Sequence, residues 1–149
     1  MLKKIVNNKI NVIVILLCVF VFALIRTHQL ELFYDPFLLY FKYDYQNSRF
    51  PDFNNVKLAT SLFLRFAANT IVSLIILYCL FKDIKLIKFA SILFTFFFIG
   101  LILAFLFIVN SLDNSYNFIL FYIRRFLIQP LLLLIFIPAF LFQKQQKLQ

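Results

Sequence analysis

Four polar residues recur at every fourth position of an otherwise apolar run: Ser61, Arg65, Asn69 and Ser73 in SLFLRFAANTIVS. A helix has 3.6 residues per turn, so this spacing lays all four along one slowly drifting face. In FYIRRFLIQP, Tyr122, Arg125 and Gln129 share a helical face, while Arg124 points about 100° away. Guanidinium groups grip carboxylates and phosphates through paired N–H donors. Arg65, Asn69, Arg125 and Gln129 therefore define a candidate anion or carboxylate site, with Asp35 in the long loop as its roof and ion-pair partner. Glu31 and Asp113 are further candidate partners. Arg124 is expected to reach the interface and rest on lipid phosphate, and it completes the candidate cluster.

Other chemistries find less support. A thiol hydrolase needs Cys beside His, but Cys18 and His28 are ten residues apart on one expected helix, roughly 15 Å along its axis. Cys79 falls near the opposite end of its own segment. There is no HExxH, GxSxG or phosphate-binding P-loop, and no pair of acids lies within an apolar run. No CxxC occurs, and a single His excludes a His-rich metal centre. Neither a metal nor a cofactor is expected, nor is catalysis.

The surroundings of these residues are lipid-like. Of 149 residues, 64% are hydrophobic and only 14% charged, with a mean hydropathy of +0.94. A soluble domain of this length needs more charge to cover its surface. The net charge of +9 sits in short clusters between apolar runs, the pattern of membrane orientation, so nucleic acid is excluded as a partner. The 23 Phe accompany abundant Ile, Asn and Lys with a single Gly. AT-rich coding alone produces that bias, so single phenylalanines carry little information.

A spanning helix needs about 20 mainly apolar residues. Four segments qualify, at approximately 10–25, 58–81, 89–109 and 119–142. The first follows Lys3, Lys4 and Lys9 like a signal sequence, but FALIRTHQ offers no small-x-small cleavage site, so an uncleaved anchor is expected. Lys3, Lys4, Lys9, Lys82, Lys85, Lys88, Lys144 and Lys147 would all be cytoplasmic. Arg26, Lys42, Arg49 and Lys57 fall on the other side, balanced by Glu31, Asp35, Asp44 and Asp52. The expected fold is all-α: a single multi-pass domain over 1–149, with four transmembrane helices and both ends cytoplasmic.

The external loop, 26–57, is the one sizeable non-spanning segment. Asp35-Pro36 suits a helix start, with the Asp carboxylate accepting a backbone N–H and Pro at the first helical position. Phe37, Tyr40, Phe41 and Asp44 then follow helical spacing, as in an amphipathic helix lying among headgroups or acting as a lid. Phe50-Pro51-Asp52 turns the chain, and Asn54 or Asn55 is placed to cap the next span. Pro130 and Pro138 are expected to kink the fourth span.

LFYDPFLLYFK, RFAANTIVS and FYIRRFLIQPLLLLIFIPAF together resemble the exosortase F system-associated membrane proteins, small multi-pass proteins encoded beside a bacterial exosortase. The resemblance extends over nearly the whole chain, and its last motif is the most specific. It implies a place in a protein-sorting system of the bacterial inner membrane. Exosortases are themselves multi-pass thiol enzymes that cut a C-terminal tag made of a short motif, a hydrophobic helix and a basic tail. Their Cys, Arg and His machinery is not matched here, because no Cys pairs with His28. The resemblance leaves the biochemical role undefined; taken with the arginine and aromatic content of the external half, it suggests a non-catalytic accessory that docks on the exosortase or its tagged substrate through that half of the bundle. The rival readings are an enzyme or transport subunit with an arginine-based anion site, and a purely structural membrane protein. The sequence sets no oligomeric state.

Overall fold

The computed structural model describes residues 9–43, 50–111 and 116–146, and every regular element among them is helical. In chain order these are α1 (Lys9–Thr27), α2 (Gln29–Leu32), α3 (Pro36–Tyr40), α4 (Asn55–Phe81), α5 (Ile84–Ser111), α6 (Asn117–Ile128) and α7 (Leu131–Gln146). Three of them, α1, α4 and α5, are long and apolar enough to cross a membrane. The last two meet that test only as a pair, and they are bent by 67° where they join.

Local chemistry explains where the helices begin. Asn54 caps α4, its Oδ1 accepting from the backbone N–H of Val56 at 3.0 Å and of Lys57 at 3.1 Å. Two donors that a helix start leaves without partners are thereby satisfied. Asn55 reaches across instead, its Nδ2 donating to Asn110 Oδ1 at 3.0 Å. At the far end, Lys82 takes a left-handed conformation (φ 49°, ψ 37°) and its N–H closes on the Tyr78 carbonyl at 2.9 Å. Asp83 then accepts the Lys85 N–H at 2.9 Å and starts α5. Only two residues separate these helices, so α5 begins at Ile84, ahead of the expected Phe89.

The expected continuous fourth span is broken at Gln129-Pro130. Proline lacks an N–H and forces the preceding residue out of the helical region. Gln129 accordingly lies extended at φ −115°, ψ 147°. The second proline, Pro138, sits within α7, which runs through it.

Phenylalanine rings fill much of the interior. Phe66 packs on Phe98 at 4.9 Å between centroids, and Phe94 meets Phe136 at 5.1 Å. Phe81 and Phe89 both touch Phe140, so α7 runs antiparallel to the first half of α5. Helix α1 is attached mainly along α4, and Cys18 is its one buried residue.

The external loop turns into the bundle. Phe37 is 0% exposed and sits among Tyr40, Phe41, Phe50, Phe53 and Phe105 at 5.4–6.2 Å. Burying a ring of this size contributes about 2–3 kcal/mol where the reference state is water. Helix α3 ends at Tyr40, with a turn through Tyr43, and Asp44 lies outside the described residues.

Candidate functional site: a shared aspartate beneath the external loop

The polar stripe of α4 faces inward: Ser61, Arg65, Asn69 and Ser73 are all buried. Arg65 is 3% exposed, and its Nη1 lies 3.6 Å from Asp35 Oδ2. Its Nη2 donates to Gln29 Oε1, and its Cζ stands 5.6 Å from the centroid of the Phe33 ring. Three consecutive pieces of the external segment therefore converge on one guanidinium. Nε and Nη1 of Arg65 nevertheless make no hydrogen bond.

Asp35 is shared. Its carboxylate, on a side chain only 3% exposed, also accepts from Arg124 through Nε at 3.3 Å and through Nη2. Two donors of one planar fork on two oxygens of one carboxylate is the geometry in which arginine binds most firmly. Asp35 is the N-terminal residue of α3 yet makes no side-chain cap, contrary to the sequence expectation. A buried carboxylate gains more from two cations than from a neutral N–H, so the ion pairs take both of its oxygens.

The two adjacent arginines exchange the roles expected of them. Arg124 is the buried one, with its Cζ 5.8 Å from the centroid of the Phe41 ring. Arg125 is exposed and donates through Nε to Gln129 Oε1 at 3.1 Å. Gln129 does stand beside Arg125, as expected, but the face that Tyr122 and Arg125 present there is the exposed one. The buried face instead runs through Asn117, Leu120, Arg124 and Leu127. Their spacing of three, four and three is a helical stripe visible in the sequence, and it would have identified Arg124.

Asn69 completes the arrangement from another direction. Its Nδ2 donates to the Ile128 carbonyl at 3.0 Å, while its own carbonyl accepts from Ser73 Oγ at 2.7 Å. The break at Pro130 leaves carbonyls at the end of α6 without helical partners, and such groups are costly in lipid. Asn69 supplies one of the missing donors. Its position is thus that of a support for the broken helix. Glu31 is exposed on α2, and Asp113 lies outside the described residues.

Gln29 and Phe33 were not singled out by the sequence, and nothing in their spacing marks them, because the segment that carries them is too short and irregular for periodicity to operate. Phe41 was read as part of an amphipathic helix, and its ring lies against Arg124.

A half-open cavity of about 510 Å³ lies beside this cluster. Its polar wall contains Arg26, Gln29, Arg65, Asn69, Arg124 and Gln129, and its apolar wall comes mainly from α1 and α7. Its level along the bundle follows from neighbours at both ends of α1. Asn11 Nδ2 reaches the Cys79 carbonyl at 3.2 Å, and Gln29, two residues beyond Thr27, reaches Arg65. The 19-residue α1 is therefore matched only to the latter part of the 27-residue α4. The first ten residues of α4, about 15 Å at 1.5 Å per residue, overshoot the end of α1. Helix α7 is similarly short at 16 residues, and Lys144 Nζ donates to the Phe81 carbonyl at 3.0 Å. The ion cluster is therefore level with the C-terminal end of α1 and the N-terminal end of α7, although it is far along α4.

Among the described residues no group of three or more His, Cys, Asp or Glu gathers in a metal-binding arrangement. Both cysteines are buried free thiols. His28 is exposed at the end of α1, with its Nδ1 3.0 Å from Thr27 Oγ1 and 3.3 Å from the Leu24 carbonyl oxygen.

This architecture, all-helical with three or more segments able to cross a bilayer and a buried charge cluster at one end, is that of a helical membrane protein. Compared with known proteins, the chain matches no family model, no curated protein and no solved structure.

Proposed function

We propose that the chain is a four-span protein of the bacterial inner membrane, with both ends cytoplasmic, α6 and α7 together forming the last span. In this reading it is a non-catalytic accessory of an exosortase-type sorting system, docking on the exosortase or on its tagged substrate. The observation that carries the reading is the state of α1. It is a complete apolar helix with Cys18 alone buried, and it stands beside an external segment held in place by ion pairs. A hydrophobic partner helix, such as the one in a sorting tag, finds there an uncovered apolar flank next to a fixed external surface. The segment around α3 supports a position among headgroups, because it carries exposed Leu39 and Tyr43 beside buried Phe37.

The separation of thiols from imidazole favours an accessory over an enzyme. Cys18 is buried partway along α1, Cys79 lies near the cytoplasmic end of α4, and His28 sits at the opposite end of the bundle. The test is co-purification of the exosortase in mild detergent, combined with tag cleavage in a strain that lacks this protein. The expected result is recovery of the exosortase and impaired or mis-timed cleavage. No recovery together with normal cleavage removes the proposal.

A further inference from the structure

Among the described residues, the buried charges of this cluster do not balance. Arg65 and Arg124 contribute two positive charges, and Asp35 contributes one negative charge. Arg26 adds a third guanidinium at the exposed rim of the adjacent cavity. An uncompensated guanidinium away from water is unfavourable, and most such groups in membrane proteins have a partner. A second, independent observation is that Arg65, although nearly inaccessible to solvent, keeps Nε and Nη1 without hydrogen bonds while lining the cavity. What is missing is one negative charge with several acceptor oxygens.

The position of the cavity narrows the choice of anion. It lies level with the external ends of α1 and α7, where a bilayer presents its headgroups. Its remaining wall is apolar, with Phe22 and Ala23 on one side and Leu131 and Leu134 on the other. A volume of about 510 Å³ falls within the range of small-molecule sites.

We infer that this cavity is a binding site for the phosphate of an amphiphile, with its oxygens on Arg26, Arg65 and Arg124 and its chain between α1 and α7. The fork of arginine matches phosphate oxygens in pairs, which a lysine ammonium does not. The inference does not rest on the docking partner proposed above, since the site is complete within one chain.

The test uses the full-length protein in a neutral detergent. Its thermal midpoint and its retained adducts in native mass spectrometry are measured with dioleoylphosphatidylglycerol, with dioleoylglycerol, and with inorganic phosphate at millimolar concentration. The phospholipid is expected to raise the midpoint and to remain bound, while dioleoylglycerol, which lacks the phosphate, does neither. A rise with inorganic phosphate equal to that with the phospholipid supports the site and assigns it to a soluble phosphate compound. Arg65 and Arg124 are both paired with Asp35, so changing them alters stability as well as the site, and two rim variants carry the specificity test. Arg26→Gln is expected to weaken binding about tenfold, equivalent to about 1.4 kcal/mol. Ala23→Trp places a ring in the cavity at an exposed position of α1 and is expected to abolish binding without lowering the midpoint of the unliganded protein. The inference is overturned if neither phosphate compound binds, if dioleoylglycerol binds as well as the phospholipid, or if Ala23→Trp binds normally. Loss of co-purification with an exosortase would not alter any of these readings.

Discussion

Asp35 and Arg124 are 89 positions apart, yet one carboxylate accepts from two nitrogens of the same guanidinium beneath the segment that joins α1 to α4. The same carboxylate faces Arg65 from the other side. A single acidic side chain therefore joins the external segment to both α4 and α6.

Replacing Asp35 by Asn would leave two buried cations facing each other. Breaking a buried pair by removing one partner costs about 3–5 kcal/mol. The buried free thiols of Cys18 and Cys79 provide the readout, because a thiol-reactive dye reports their exposure on heating in detergent. Asp35→Asn should show a clearly lower midpoint, and adding Arg124→Gln should recover part of the loss. An unchanged midpoint for the single variant would show that the charges are not coupled.

The neighbouring arginines should respond very differently to lysine. Lysine at 124 cannot supply the two donors that now meet Asp35, and a loss of about 1–3 kcal/mol is expected. At the exposed position 125 the same change should stay within about 0.5 kcal/mol. The dye-based midpoint separates the two, and equal sensitivity would contradict the burial of Arg124 alone.

The break before α7 has its own test. Pro130→Ala restores the missing N–H and relaxes the constraint on Gln129, so the angle between α6 and α7 should open. Spin labels placed one on each helix should move apart in a pulsed-EPR distance measurement. Asn69→Leu removes the donor that satisfies the Ile128 carbonyl and should destabilise by about 1–2 kcal/mol. In the Pro130→Ala background that loss should shrink, because a continuous helix supplies the carbonyl with a partner.

Lys82 offers a gain. A residue other than glycine in the left-handed region at a helix end carries a conformational cost, and glycine is the usual occupant there. Lys82→Gly should raise stability by about 0.5–1 kcal/mol, measured as an increased midpoint. A decrease would show that the lysine side chain contributes more than its backbone strain costs.

Long apolar runs made α1, α4 and α5 legible, and the period of four made the inward stripe from Ser61 to Ser73 legible with them. Both signals are local and repeat along a regular helix. Asp35 was identified as an ion-pair partner, but its use as a cap was misread, because local preference for a backbone N–H gave way to two cations distant in sequence. The inversion of Arg124 and Arg125 has a different cause. Arg125 and Gln129 were rightly placed together, but their face was taken as inward on its polar content, while the buried stripe through Leu120, Arg124 and Leu127 went unread. Gln29 and Phe33 were not legible at all, since their roles exist only once Arg65 is brought beneath them.

The shared aspartate also sets an order of assembly. Asp35 and Arg65 emerge early from the ribosome, and at about 5–20 residues per second Arg124 follows Arg65 by several seconds. During that interval α1, α4 and α5 can occupy the bilayer while the external segment has only one of its two cationic partners. Arrival of α6 supplies the second and fastens the N-terminal third of the chain to the C-terminal third. A chain cut short before α6 would lack Arg124 and leave Asp35 with Arg65 alone.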